Sequence, residues 1–270
     1  MAPDLASQLR ELRRSGQIEQ ARALLSRQLA SAAAGTAAHK PRLIHLAWQH
    51  APFWWQPLQG RSAGLRRRGP QDVALLRHAW QNADFMQRFN RMAADLPAQD
   101  DALQALLTRE HWALPEESRG LHWTIESAGR GCGFVSVVEL SMQHRRGEFL
   151  IGVLPDQAPG ASPWLALEAS HLVFEFLRSH MKLERLTAYF YPDNPAALQM
   201  AQKLGFEREG LLKGYLRVPH NGQRVDLIVA GLLLDQAFFD RHARVRQRLL
   251  ATTPAREPPR QDHQPGASHE

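Results

Sequence analysis

Asn194-Pro195-Ala196-Ala197-Leu198-Gln199-Met200-Ala201-Gln202-Lys203-Leu204-Gly205-Phe206, with Glu209-Gly210 just beyond, carries the signals of a short helix set between two strands. The apolar run 186–191 before it reads as a strand. Asp193 or Asn194 offers an oxygen to cap a following helix, Pro195 suits that helix's first turn, and Gly205 can end it in the left-handed conformation. Phe206 then opens another strand, so the segment reads as strand, short helix, strand.

Working outward, residues 64–235 alternate as an α/β domain should. Strands are expected near 65–68, 121–127, 133–140, 147–154 and 185–191. Helices are expected over 71–91, 101–111, 163–180 and 195–204. Asn221-Gly222 is placed to turn a hairpin between 210–218 and 224–234. The expected fold class is α/β, a mixed central sheet with flanking helices, preceded by an N-terminal helical hairpin.

Residues 1–40 hold two amphipathic patterns, Leu5-Leu9-Leu12 and Ile18-Ala21-Leu24-Leu25-Leu29, broken at Ser15-Gly16 and running into an Ala/Ser-rich linker. The pair resembles half of a tetratricopeptide-type repeat, which needs a surface to cover its apolar face. Residues 41–63 carry Trp48, Phe53, Trp54 and Trp55. That density reads as a packed anchor, or else as a wall of an acceptor pocket. A C-terminal helix is expected over 236–250, and the Pro-, Gln- and charge-rich 251–270 reads as a disordered tail.

The net charge of +6 belongs to the extensions: residues 1–63 carry 8 Lys/Arg against 3 Asp/Glu, whereas 64–235 carry 19 against 20. The one tight basic triplet, Arg66-Arg67-Arg68, reads as solvated side chains on a first strand, and no nucleic-acid partner is expected. A single cysteine, Cys132, rules out an intramolecular disulfide framework and a multi-cysteine zinc site. Its Gly-Cys-Gly setting reads as a packing position. No run is long and apolar enough to span a membrane and the N-terminus lacks a signal-peptide core, so a cytoplasmic protein is expected.

The 194–210 pattern resembles the C-terminal signature of the GNAT superfamily of N-acetyltransferases, in its RimJ/RimL-like branch, and the order of elements over about 64–235 is similar to that fold. The resemblance implies acetyl-CoA as acyl donor, no metal, and a primary amine as acceptor: a protein N-terminus, an amino sugar or a small amine. Gly147-Glu148-Phe149-Leu150-Ile151-Gly152-Val153-Leu154-Pro155 resembles the family strand that splays from its neighbour to admit the pantetheine arm. Backbone groups near Val153 and Leu154 would hold that arm and polarise the thioester. Gln157-Ala158-Pro159-Gly160-Ala161-Ser162 resembles the pyrophosphate loop, with Gln157, Gly160, Ala161 and Ser162 as cofactor-binding candidates. Ser162 would cap the next helix and Pro163 would start it. Pro159 and Pro163 lack an N–H, and the usual flanking basic residues are missing. Asn194 is implied as a further coenzyme contact.

Transfer to an amine requires a base for the ammonium and an acid for the departing thiolate. Glu148, at the Glu position of the matched strand, is the candidate base, with Glu139 in reserve. The family's usual Tyr and Ser acid positions fall on Ala201 and Ala197, which leaves Tyr191 as the candidate acid. The acidic segment 92–118 reads as a lip for a cationic acceptor or as a solvated helix face. Asp226 matches a family Asp in the last hairpin with no role assigned. The alternative reading is a non-catalytic GNAT-fold binding or assembly module that contacts a protein partner, or itself, through residues 1–40. A further variant keeps transfer but with a longer acyl chain or a carrier protein docked on Arg145 and Arg146.

Overall fold

The computed structural model of the chain describes residues 4–33, 40–90, 93–118, 120–218 and 222–250. Asn221 of the expected turn, part of the Ala/Ser-rich linker and the 251–270 segment lie outside these. Among the described residues the strands are Leu58–Gln59 (β1), Gly64–Arg67 (β2), Leu121–Ser127 (β3), Arg130–Ser141 (β4), Arg146–Val153 (β5), Arg185–Phe190 (β6), Glu207–Arg217 (β7) and Arg224–Leu233 (β8). They form one sheet in the order β1-β2-β3-β4-β5-β6-β8-β7. Every neighbouring pair is antiparallel except β5 and β6, which run parallel.

The helices are Leu5–Arg14 (α1), Ile18–Ala33 (α2), Lys40–Gln49 (α3), Val73–Gln81 (α4), Ala83–Phe89 (α5), Asp100–Trp112 (α6), Pro115–Ser118 (α7), Leu165–Phe176 (α8), Pro195–Lys203 (α9), Gln236–Arg241 (α10) and Ala243–Leu250 (α11). The two faces of β4 explain the layering, because side chains alternate along a strand. Val135 and Val137 join α8 residues Val173, Phe174 and Phe176 in the main core. Phe134 joins Leu76, Phe85, Leu103 and Leu107 from α4–α6 on the opposite face.

The segment 194–206 folds as its chemistry dictates. Asn194 caps α9, its Oδ1 accepting the Ala197 N–H at 3.3 Å, with Pro195 in the first turn. At the other end Gly205 has φ +94°, its N–H donates to Gln202 O, and the Phe206 N–H donates to Ala201 O. These are the two bonds of a Schellman cap.

Three expectations are corrected. The helix expected over 71–91 breaks at Asn82, whose side chain accepts the Phe85 N–H at 2.9 Å and so restarts it as α5. The helix expected from 163 begins at Leu165 with Trp164 at the N-cap. Ser162 instead accepts the Trp164 N–H on its hydroxyl at 3.2 Å, a local turn that delays the helix. The arginine triplet is not solvated: Arg66 pairs with Asp72 and Glu126, Arg68 pairs with Glu110, and buried Arg67 donates to the carbonyls of Glu110, His111 and Ala113 at the end of α6.

The N-terminal helices have a small core of their own, formed by Leu9, Ala21 and Leu25 with Leu43 and Leu46 of α3. They are fastened to the sheet domain by Arg13, which donates to Glu117 and to the Trp112 carbonyl. The aromatic connector packs rather than floats. Trp54 sits in the main core, and the indole N–H groups of Trp48, Trp54 and Trp55 donate to the carbonyls of His180, Trp48 and His111. Cys132 is fully buried, which pushes its thiol up to about 11 and keeps it protonated.

Burial depresses the imidazoles of His50, His111, His122 and His171, that of His171 to about 4 with help from His242 and Arg246. The folded chain therefore binds fewer protons than the unfolded chain below the ordinary histidine value. Stability is full above about pH 6.5 and declines as pH falls toward about 4. The expected result is a thermal midpoint lower at about pH 5 than at about pH 7.5. A midpoint that held or rose on acidification would contradict it.

Candidate active site

The parallel pair β5/β6 is joined over only three register positions, Arg146 with Arg185, Gly147 with Leu186 and Glu148 with Thr187. Beyond Glu148 the two strands diverge, and β5 continues to Val153 paired only with β4. In an antiparallel ladder alternate residues turn their N–H and C=O toward the partner. The Leu154 N–H donates to Cys132 O at 2.8 Å, so 154, 152, 150 and 148 face β4. Ile151 and Val153 accordingly turn their backbone groups into the opening. This corrects the role expected at Leu154: its amide is engaged and its side chain is fully buried.

Three cavities run through the opening. One of about 450 Å³ is bounded by Val153, Pro155, Asp156, Asn194 and, from α5, Phe85 and Arg88. One of about 430 Å³ on the other side is bounded by Glu139, Arg146, Glu148, Tyr189, Tyr191 and Tyr215. A throat of about 110 Å³ shares Arg88, Phe89, Ile151 and Ala197 with the first and Phe89, Glu148, Leu150 and Tyr189 with the second. A first chamber and a second chamber thus adjoin this throat along the splay, with Glu148 bordering both the throat and the second chamber.

Glu148 is half-buried, and its carboxyl is held above the ordinary carboxylate range by burial and then by the negative charge of Glu139. Glu139 sits at φ +48° where the β4/β5 register shifts, a bulge that brings both carboxylates to one chamber. Tyr191 lines the second chamber but not the throat. The phenol that borders the throat is Tyr189, kept protonated by burial and by Glu148. Strand parity puts 189 and 191 on one face. The register that sets Glu148 beside Thr187, and so makes 189 the closer of the two, depends on a long-range pairing that local sequence does not display. Ala197 and Ala201 both line the throat, as methyls without a proton to give.

In the loop after β5, the amides of Gln157, Ala158, Ala161 and Leu165 donate within the loop, and that of Trp164 donates to Ser162 Oγ. The Ala161 N–H is therefore engaged by the Ala158 carbonyl and is not available to a ligand. Gly160 has φ +73° with nothing within 4 Å of where a Cβ would lie. The Gln157 amide donates to Asp156 at 3.1 Å and lies 3.3 Å from His78 Nε2. Gln157, Gly160, Ala161 and Ser162 do not line the first chamber, whose wall on this side is formed by Pro155 and Asp156. Asn194 lines the chamber while serving as the α9 cap. Arg88 of α5, which the sequence reading missed, also lines this chamber.

Helix α5 closes over Gly152, where an added Cβ would come within 2.6 Å of Phe89 and 2.9 Å of Phe85. Gly152→Ala is expected to cost about 1–3 kcal/mol and to displace α5 from the throat. An unchanged denaturation midpoint would contradict this.

No described residue of the acidic segment lines the three cavities of the splay, and four of its carboxylates are paired. Glu110 pairs with Arg68, Glu117 with Arg13, Glu116 with His45, and Asp100 with Arg77. These carboxylates hold the N-terminal helices and α6 in place. Among the described residues no group of three His, Cys, Asp or Glu side chains is gathered for a metal, and no helix is long and apolar enough to cross a membrane.

Compared with known proteins, residues 63–207 match the family described as the acetyltransferase (GNAT) domain. The chain is 30% identical over 106 residues to the uncharacterized N-acetyltransferase YoaA of Bacillus subtilis (strain 168), covering 38% of this chain and 58% of that protein. It is 30% identical over 132 residues to spermidine N(1)-acetyltransferase of Escherichia coli (strain K12), covering 48% of this chain and 67% of the relative. The match to the Bacillus protein therefore spans less than two thirds of its length. A crystal structure of spermidine N-acetyltransferase from Vibrio cholerae in complex with CoA and spermine superimposes with a TM-score of 0.53 at 18% identity, over 64% of this chain and 96% of that one. At that identity the likeness concerns the fold.

Proposed function

The chain belongs to the acetyltransferase (GNAT) family, and we propose that it is an acetyl-CoA-dependent N-acetyltransferase that acetylates a primary amine by direct attack in a ternary complex. The observation behind this reading is that three adjoining cavities lie along the β5/β6 splay and that Glu148 borders the small middle one. The donor fits the first chamber. Ile151 and Val153 offer outward backbone groups to an extended arm, and the Gly160 and Ser162 amides with Arg88 face its phosphates.

Glu148 then accepts the proton from the incoming ammonium, directly or through water, and its raised pKa brings it toward the operating pH of a base. The amine nitrogen forms the new bond to the acyl carbon as the carbon–sulfur bond breaks. Tyr189, the throat phenol, is proposed to give its proton to the departing thiolate and to regain one, through water, from the nitrogen as that becomes an amide, with Tyr191 as a wall of the acceptor chamber. The two carboxylates and three tyrosines favour a cationic small amine over an amino sugar or a protein N-terminus. The names of the E. coli and V. cholerae proteins point the same way. The motifs at 147–155 and 194–210 support the RimJ/RimL-like branch within the family.

Calorimetric titration with acetyl-CoA tests the donor side. One site of micromolar affinity is expected. Absence of binding would overturn the reading in favour of a non-catalytic module, which the methyls at Ala197 and Ala201 would suit.

A further inference from the structure

Tyr215 and Leu216 are consecutive in β7, yet both line the acceptor-side chamber. Successive side chains of a regular strand face opposite ways. The register accounts for the exception: Leu212 pairs with Leu227 and Leu216 with Val225, so Lys213, Gly214 and Tyr215 stand opposite Asp226 alone. Asp226 fills the break in the ladder. Its Oδ1 accepts the Gly214 N–H at 2.6 Å, while Arg224 Nη1 donates to the Gly214 carbonyl at 2.7 Å. Gly214 takes φ +54°, a conformation suited to glycine at a bulge.

The bulge delivers the Tyr215 ring parallel to that of Tyr189, with centroids 6.4 Å apart and planes at 15°. Tyr215 remains 55% exposed, so core packing does not explain its place. The phenol Tyr189, against which it stacks, and the carboxylate Glu148 line the same chamber.

We propose that Tyr215 is a specificity-determining residue for the acceptor, and that Asp226 is its positioning residue, acting through the Gly214 bulge. The acceptor class that this wall fits is an aliphatic amine whose chain extends past the reacting nitrogen along the Tyr189 and Tyr215 rings toward the outer edge of the sheet. A further ammonium on that chain would meet an aromatic face. The inference rests on the transferase reading above.

Steady-state kinetics at saturating acetyl-CoA, with spermidine and a series of diamines of increasing length, test it. For the amine that the wild type uses best, Tyr215→Ala is expected to raise acceptor KM about tenfold with kcat within about twofold, and Tyr215→Phe to stay within about twofold of wild type on both. Asp226→Ala should match Tyr215→Ala. Asp226→Asn, whose amide oxygen can still accept the Gly214 N–H, should restore KM. The double variant Asp226→Ala/Tyr215→Ala should be no worse than Tyr215→Ala alone, since one residue acts through the other. Additive losses, or a loss confined to kcat, would overturn the positioning role. If Asp226→Ala does not fold, Asp226→Asn/Tyr215→Ala replaces it, with a KM above that of Tyr215→Ala as the overturning result. Wild-type turnover with an unchanged KM in Tyr215→Ala would overturn the inference alone. A wild type that acetylates none of the amines would overturn the transferase reading and the inference with it.

Discussion

Glu148→Gln is expected to lower amine acetylation about a hundredfold near neutral pH while leaving acetyl-CoA affinity within about twofold of wild type, because the amide keeps the shape and loses the basicity. The pH dependence sharpens the prediction. Burial and Glu139 hold the Glu148 carboxyl above the ordinary range, so the group becomes a base only once pH has risen past that elevated value. The ascending limb of kcat/KM should therefore lie above the ordinary carboxylate range and vanish in the glutamine variant. Glu139→Gln removes the like charge, lowers the Glu148 pKa, and should move the limb to lower pH. Unchanged turnover of Glu148→Gln across the pH series would remove Glu148 as the base.

Trp54→Ala should have the largest effect on stability. The ring is 1% exposed, lies 4.9 Å from Trp48 and 5.7 Å from Phe176 between centroids, and its Nε1 donates to the Trp48 carbonyl at 2.8 Å. Truncation leaves a cavity where the connector meets α8, and leaves the Trp48 carbonyl without that donor. The expected cost is about 3–5 kcal/mol, read from urea unfolding. Because Trp54 shares the main core with Trp123 and Phe176, the loss should appear in the single transition of the whole domain. A cost below about 1 kcal/mol would show that the connector is only laid on the surface.

Much of the fold was legible where the controlling chemistry is local. The Asn194 cap, Pro195 and Gly205 announce α9 because each acts on the backbone within a few residues. The strand at 147–154 and the hairpin pair were readable for the same reason. What was not legible depends on partners far away in sequence. Arg66-Arg67-Arg68 looks solvated until Asp72, Glu126 and the end of α6 arrive. The acidic 92–118 segment looks like a lip until Arg13, Arg68, Arg77 and His45 meet its carboxylates.

The candidate site divides the same way. Glu148 and Val153 follow from the strand that carries them. The engagement of the Leu154 amide with Cys132, the choice of Tyr189 over Tyr191, and the aim of Tyr215 follow from strand register, which a bulge of one or two residues resets. Asp226 illustrates this well: as a lone carboxylate in a hairpin it carries no message, and opposite Gly214 it completes a broken ladder.

In the proposed reaction the chambers that adjoin the Glu148 throat bring an acetyl donor and an amine together. Amine-dependent release of free thiol from acetyl-CoA, with mass detection of the acetylated amine, measures that union most directly. The account predicts thiol release that saturates with spermidine or an aliphatic diamine and is nearly abolished in Glu148→Gln. Thiol release that is absent, or independent of any amine added, would contradict it.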